Sequence, residues 1–432
     1  MNALKDRIHG LLRWSERYAK TDMVYLATAG FWANANFAIV TILSLALSVA
    51  FANLLPKETF GMYQYLLSLS ALLSALMLLG MNTAVTQAVA RGYEGDLRRA
   101  VRLQLLWGII PTGIGIFGSL YYLMNGNGLL AAGLVIIALC APLTSAFNTY
   151  AAFLTGKREF RQLFLYGTGI NLTYYGVMFL CAMLWKEVIV LIIANLVTNA
   201  FATAGAYYRT LHAYRPNDRT DAHTITYGGH LSLMGTFGTI IAQLDSVLVF
   251  HFLGPVSLAL YTFASLVPER LAGLFKFVNT AALPKFANQT RTSIAATIIS
   301  KTVRAALAGM ILSIIYAMLA PSFFRIFFPH YADAIPFTQL YAIFIMTVAA
   351  QIPVTALYAL RLRRELYVFN IATPLILLLL QVPLLLSFGI AGILVARILS
   401  NSLNVLIALV LLFFPLTTHE GEDTSPQRVP RE

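Results

Sequence analysis

Apolar stretches of 20 to 30 residues recur about a dozen times along this chain. A hydrocarbon core of ~30 Å takes about 20 residues of helix at ~1.5 Å rise. In lipid, every backbone N–H and C=O must be bonded within the spanning structure, which leaves helices or closed barrels. Barrel strands need only about 9–11 residues, so stretches of this length read as helices. Composition agrees, with 59% hydrophobic and 11% charged residues and a mean hydropathy of +0.73. A water-soluble fold of 432 residues carries far more polar surface. The expectation is an all-α polytopic membrane protein.

The spans read as 28–53, 65–89, 103–124, 129–154, 163–185, 188–208, 228–252, 257–281, 303–322, 337–360, 366–387 and 390–414. With the N-terminus placed in the cytoplasm, 24 of the 30 Lys and Arg residues fall on the inner side. Lys57, Lys186 and Arg325 fall outside, while Arg270, Lys276 and Arg397 lie within spans. Positive loops stay cytoplasmic, so both termini are expected inside and the number of spans even; twelve fits. The expected organisation is a basic cytoplasmic segment 1–23, an N-lobe 24–210 of six helices, a linker 211–227, a C-lobe 228–415 of six more, and a disordered polar tail 416–432. Residues 1–22 contain no continuous apolar core of a cleavable signal. Leu4, Ile8, Leu11 and Tyr18 share one side of a possible interfacial helix, with a solvated tail as the alternative.

The net charge of +12 is spread over several short loops, so it reports topology and contact with anionic lipid rather than a nucleic-acid footprint. The connections are too short to hold a soluble catalytic domain. "TGKRE" at 155–159 lacks the remainder of a phosphate-cradling loop. Seven scattered histidines form no metal-ligand spacing, and Cys140 and Cys181 read as small buried hydrophobes. No cofactor, metal or chemistry of its own is expected; any energy source is an ion gradient or substrate supply.

A repeat of half the chain narrows the class. A shift of 198 residues places Leu55 on Leu253, Pro56 on Gly254, Thr59 on Ser257, Gly61 on Ala259 and Tyr63 on Tyr261. "MNTA" at 81–84 echoes "VNTA" at 278–281 with a shift of 197. Equal halves that both start inside imply a parallel pseudo-twofold along the membrane normal, an architecture of alternating-access transporters.

The stretches "LLPKETFGMYQYLLSLSALLSALMLLGMNTAVTQAVAR" at 54–91 and "IAQLDSVLVFHFLGPVSLALYTFASLVPERL" at 241–271 carry a family resemblance. The chain resembles bacterial polysaccharide exporters of the O-antigen flippase (Wzx-type) family. That family shares a superfamily with multidrug MATE exporters and the peptidoglycan-precursor flippase. The resemblance implies a MATE-like fold in the bacterial inner membrane. It also implies an undecaprenyl-diphosphate-linked oligosaccharide as substrate and partner, with H+ or Na+ and other polysaccharide-assembly proteins as further candidates. By the same resemblance, the intramembrane acid before the outside turn is Asp245. Ala259 departs from the family's usual Gly.

Charges inside spans cost about 2.5–3.5 kcal/mol each at mid-span, so they mark the bundle interior or a wet cavity. Asp245 and Arg397 each lie about 10 Å below the outer surface, and Arg270 about 20 Å. The functional reading makes Arg270 and Lys276 a cationic lining for a pyrophosphate, arginine's planar fork suiting two parallel hydrogen bonds. The structural reading is an ion-pair network holding spans 7, 8 and 12 together, with Glu269 a partner for a cation on a neighbouring helix and Lys276 snorkelling to the inner headgroups. Asp245 reads as an ion-coupling carboxylate, a partner of Arg397 or a cavity residue. In the first half Leu47, Leu73 and Leu79 stand opposite Asp245, Arg270 and Lys276, so polar groups such as Asn34 and Asn36 replace charges there. These two asparagines are two positions apart, so only one readily faces a cavity. Tyr63, Tyr65, Tyr261 and Tyr341 read as an aromatic belt, or as platforms for sugar rings. Pro268, immediately before Glu269, reads as a helix break or hinge. The reading that results is a flippase; the alternative is a MATE-like drug or metabolite antiporter coupled to H+ or Na+ through Asp245.

Overall fold

The computed structural model describes residues 23–287, 289–360 and 362–414. The basic segment expected at 1–23 (Met23 apart) and the tail at 416–432 lie outside the described residues. Among those described there is no β-strand. Helices run in the order α1 Met23–Leu54, α2 Lys57–Ala75, α3 Met81–Ala90, α4 Asp96–Trp107, α5 Ile109–Met124, α6 Gly128–Phe147, α7 Thr149–Gly156, α8 Phe160–Leu184, α9 Val188–Tyr214, α10 Thr224–Ala287, α11 Arg291–Phe327, α12 Ile335–Tyr341, α13 Ile343–Ala349, α14 Ile352–Ala359 and α15 Arg363–Phe413.

Nine stretches among the described residues are long and apolar enough to cross a membrane. Their outward sides are apolar: Phe117, Met124, Met318 and Leu379 are 71–80% exposed. Exposure of large hydrophobes on this scale suits lipid and not water. The chain is therefore a polytopic helical membrane protein.

Turn chemistry sets where helices stop. Two of the long helices are interrupted at a glycine: α10 at Gly254 (φ 83°, ψ 177°) and α15 at Gly389 (φ 58°, ψ −133°). Both angles lie where a Cβ is disfavoured, so glycine makes the turn at no steric cost. Pro56, the repeat partner of Gly254, stands at the start of α2 with φ −58° and ψ 144°. The same turn is thus made by a residue with fixed φ in one half and a permissive one in the other. Between α5 and α6, Asn127 caps α6 by accepting from the Leu130 N–H at 3.1 Å. Pro353 falls in the first turn of α14, where its missing N–H costs nothing. Backbone angles stay helical through Pro268, so the break expected there does not occur.

The described chain divides into two compact units: one runs to Ala259 and takes in Phe327–His330, the other comprises Leu260–Ile326 and the residues from Tyr331 onward. In the first unit, Met81, Val85, Leu97, Phe153 and Leu154 form a buried cluster where α3, α4 and α7 meet. The 224–253 arm of α10 runs antiparallel beside α2 and α3. Phe250 stacks on Tyr65 with ring centroids 3.8 Å apart, Thr236 Oγ1 donates to the Ala75 carbonyl at 3.0 Å, and Ser232 Oγ accepts from the Gly80 N–H at 3.0 Å. In the second unit, Ile298, Leu357 and Ala408 centre one cluster and Tyr316, Ala320 and Ile345 another. Within a bilayer such contacts stabilise by packing rather than by removal from water.

One end of the first unit carries a polar strap. Three loops expected to be cytoplasmic meet here. Lys157 pairs with Glu94, Arg91 with Asp221 and Arg98 with Asp218. Asp96, 1% exposed, accepts from the Asp221 N–H at 3.0 Å and from Thr224 Oγ1 at 2.9 Å. Burial pushes the Glu94 carboxyl up, but Lys157 and the Asn217 N–H outweigh it and hold Glu94 below the usual carboxylate range.

Candidate functional site

The intramembrane charges expected in the second unit lie on two helices. After Gly254, α10 carries Glu269, Arg270 and Lys276; beyond Gly389, α15 carries Arg397. Glu269 and Arg397 form an ion pair, and Arg397 Nη1 also donates to the Tyr261 hydroxyl at 3.0 Å. The Arg397 guanidinium lies 5.9 Å from the Tyr341 ring centroid and 5.8 Å from that of Phe344, within cation–π range. One turn further along α15, Asn401 donates to the Arg397 carbonyl at 2.9 Å and accepts from Gln351 in the turn between α13 and α14. Asn279 donates to the Val348 carbonyl at the end of α13. A polar column thus joins α10, α15 and the interruption between α13 and α14.

Arg270 and Lys276 are exposed on α10. Glu269 and Arg270 are adjacent, so they point about 100° apart around the helix. The acid turns to Arg397 while the neighbouring cation stands on the exposed side. The net result on the surface of this helix is positive.

The other candidates fall in the first unit. Asp245 is 4% exposed and its Oδ1 accepts from the Ser246 N–H at 2.7 Å. Asn34 is exposed and donates back to the Gly30 carbonyl of its own helix at 2.7 Å. Asn36 turns instead toward α8, its Oδ1 3.6 Å from where a Cβ on Gly167 would stand. The structure therefore brings Glu269 and Arg397 together, sets Arg270 and Lys276 on the same helix as Glu269, and keeps Asp245 and Asn34 in the other unit.

The tyrosines behave differently from expectation. Tyr63, Tyr65, Tyr261 and Tyr341 are all buried, none more than 4% exposed. They are neither a headgroup belt nor platforms for sugar. Each is used inside a unit: Tyr63 accepts from Asn195 at 2.8 Å, Tyr65 stacks on Phe250 and bonds Tyr122, Tyr261 binds Arg397, and Tyr341 stacks on Phe344 at 4.7 Å. Asn195, Tyr174 and Phe344 had not been singled out from sequence. The signal that leads to them is the repeat itself, because Tyr63 and Tyr261 are equivalent positions and each must bond its buried hydroxyl.

A cavity of about 440 Å³ opens in the first unit, lined by Glu58, Thr59, Met62, Leu129, Lys186 and Glu187. It holds none of the intramembrane charges. Among the described residues no cluster of His, Cys, Asp or Glu is arranged to hold a metal ion.

Comparison with solved structures assigns the fold. An inward-facing MATE-family multidrug resistance transporter of the MOP superfamily superposes with a TM-score of 0.66 at 13% identity, over 87% of this chain and 94% of that one. The lipid II flippase MurJ, in an inward closed conformation, gives 0.64 at 14% identity, over 89% and 87%. A MOP-superfamily transporter from Pyrococcus furiosus, whose binding pocket of reverse polarity suggests a different function, gives 0.59 at 12% identity, over 90% and 94%. The protein thus has the fold of MOP-superfamily exporters.

Residues 28–289 match the polysaccharide biosynthesis protein family, well over half of the chain. The chain belongs to that family. No curated protein matches its sequence.

Proposed function

We propose that this protein flips an undecaprenyl-diphosphate-linked oligosaccharide, an O-antigen or exopolysaccharide repeat unit, from the inner to the outer leaflet of a bacterial inner membrane. In this reading twelve spans form two six-helix lobes, 24–210 and 228–415, with both termini in the cytoplasm, working by alternating access. Arg270 and Lys276 hold the anionic head while the lipid tail stays in the bilayer. The observation that carries the reading is chemical. In a family of polysaccharide biosynthesis, the exposed charges of α10 are cationic, and its neighbouring acid Glu269 is already engaged by Arg397. A diphosphate needs donors of this kind, whereas a cationic drug needs acids.

The second reading, an antiporter coupled to H+ or Na+, is favoured by one feature: Asp245 is a carboxylate buried within a span. Equilibrium binding separates the two. Wild type and Arg270→Ala are placed in nanodiscs and titrated with undecaprenyl diphosphate. Loss of a charge-assisted bidentate contact worth about 1.5–3 kcal/mol weakens binding roughly 10- to 100-fold. Arg270→Lys, which keeps charge without the planar fork, falls between. Equal binding by wild type and Arg270→Ala contradicts the proposal.

A further inference from the structure

The two halves carry the same clasp in different chemistry. Tyr63 and Tyr261 are repeat-equivalent and both buried. Tyr63 accepts from Asn195 on α9, and Tyr261 accepts from Arg397 on α15. Four residues after each donor an asparagine bonds back to the donor's carbonyl: Asn199 to Asn195 and Asn401 to Arg397, both at 2.9 Å. Each donor also bonds a second side chain, Tyr174 for Asn195 and Glu269 for Arg397. The second helix of each half is thus tied to the sixth by a tyrosine and a donor, the tyrosines 198 residues apart and the donors 202. Where the first half uses a neutral amide, the second uses an ion pair.

We infer that Arg397 is a positioning residue: it takes the place of Asn195 in the second half and, through Glu269, fixes the rotation of α10 that presents Arg270. This rests on the proposed role of Arg270 in binding the diphosphate. The half-buried guanidinium is engaged by the Glu269 carboxylate, the Tyr261 hydroxyl and the faces of Tyr341 and Phe344. A phosphate would have to displace a carboxylate and two rings to reach it. Its effect on Arg270 is geometric, since pinning position 269 toward α15 directs position 270 about 100° away. Pro268 gives the clasp something to do. It carries no N–H, so the helix lacks one rung of its ladder beside Glu269 and is softer to twist there. The clasp restrains the helix where its backbone restrains it least.

The test is a double-mutant cycle on the full chain in nanodiscs, read by undecaprenyl diphosphate affinity. Arg397→Gln weakens binding at least fivefold when Arg270 is present and less than twofold in the Arg270→Ala background. Glu269→Arg combined with Arg397→Glu restores most of the loss, and Arg397→Lys, able to keep the ion pair, loses less than Arg397→Gln. Equal weakening with and without Arg270 overturns the inference. A second readout needs no substrate. With Cys140 and Cys181 replaced by alanine, an Arg270→Cys thiol reacts with a water-soluble reagent. Adding Arg397→Gln changes that rate at least fivefold, and the charge swap reverses the change. An unchanged rate overturns the inference even if the wild type proves to bind another ligand. Should Arg397→Gln fail to fold, Arg397→Lys and the charge swap carry the same comparisons.

Discussion

Each intramembrane charge here has a different neighbour, and the neighbour decides its use. Glu269 meets a cation within its own unit, Arg270 one residue later stands exposed, and Asp245 is buried with Ser246 as a hydrogen-bond partner. The sequence located all of these by the cost of placing them in lipid. It left open which acid pairs with which base, because the pairing depends on helix rotation, and a one-residue step turns a side chain by about 100°. The buried tyrosines were misread for a related reason. Nearness to a span end is visible in sequence, but which way the ring points is not. Outside the membrane, Glu94 supplies a pH-dependent contribution to the strap. Its carboxyl is held low in the fold, so its stabilisation is present above the ordinary value of 4.5 and is lost as pH falls through the lowered one. Glu94→Gln should lower the melting temperature in detergent at pH 7, by an amount corresponding to about 0.5–1 kcal/mol for a partly exposed pair. The gap between wild type and variant should close below about pH 4.5 and stay constant between pH 6 and 8. A gap that persists into acid would show that Lys157 and Asn217 do not act through the Glu94 charge.

At the level of helices, small residues and interruptions set the design. A Cβ on Gly61 would fall 1.9 Å from the Pro255 carbonyl oxygen, so α2 and the turn after the 224–253 arm meet only because position 61 is glycine. Gly61→Ala should destabilise the protein by about 1–3 kcal/mol, seen as a lower melting temperature with retained expression. Gly254→Ala forces a side chain into the left-handed region, which costs about 1–2 kcal/mol. Pro56→Ala, at the equivalent turn with an ordinary φ, should cost less, and the order of these two is the check. The repeat was legible because turn residues recur at a shift of 198. The interruption at 76–80 within the second span was not, since an apolar run looks alike whether it is one helix or two. The expected break at Pro268 failed for the converse reason: neighbouring helices hold the chain helical where proline alone would loosen it.

For the whole molecule, hydropathy and charge asymmetry gave the class directly, because only helices satisfy backbone polarity across so many apolar segments. The loops predicted to share a side do meet: residues near 91–98, 157 and 217–221 are joined by ion pairs in the first unit. The proposed sidedness is open to a direct check. After Cys140→Ala and Cys181→Ala, an impermeant thiol reagent should label Asn125→Cys on intact spheroplasts, and Asp218→Cys only once the membrane is permeabilised. Labelling in the opposite order would invert the topology. The substrate is beyond what hydropathy alone can specify; the one proposed rests on resemblance and on the sign of the exposed charge on α10. The decisive measurement is therefore transport itself. Wild type and Arg270→Ala are reconstituted into liposomes loaded with a labelled undecaprenyl-diphosphate oligosaccharide, and its movement between leaflets is followed with and without an imposed H+ or Na+ gradient. Fast movement by the wild type, at least tenfold slower in folded Arg270→Ala, is the predicted result. No movement by the folded wild type under any gradient, together with gradient-driven efflux of an organic cation, would contradict the account and make the protein an antiporter.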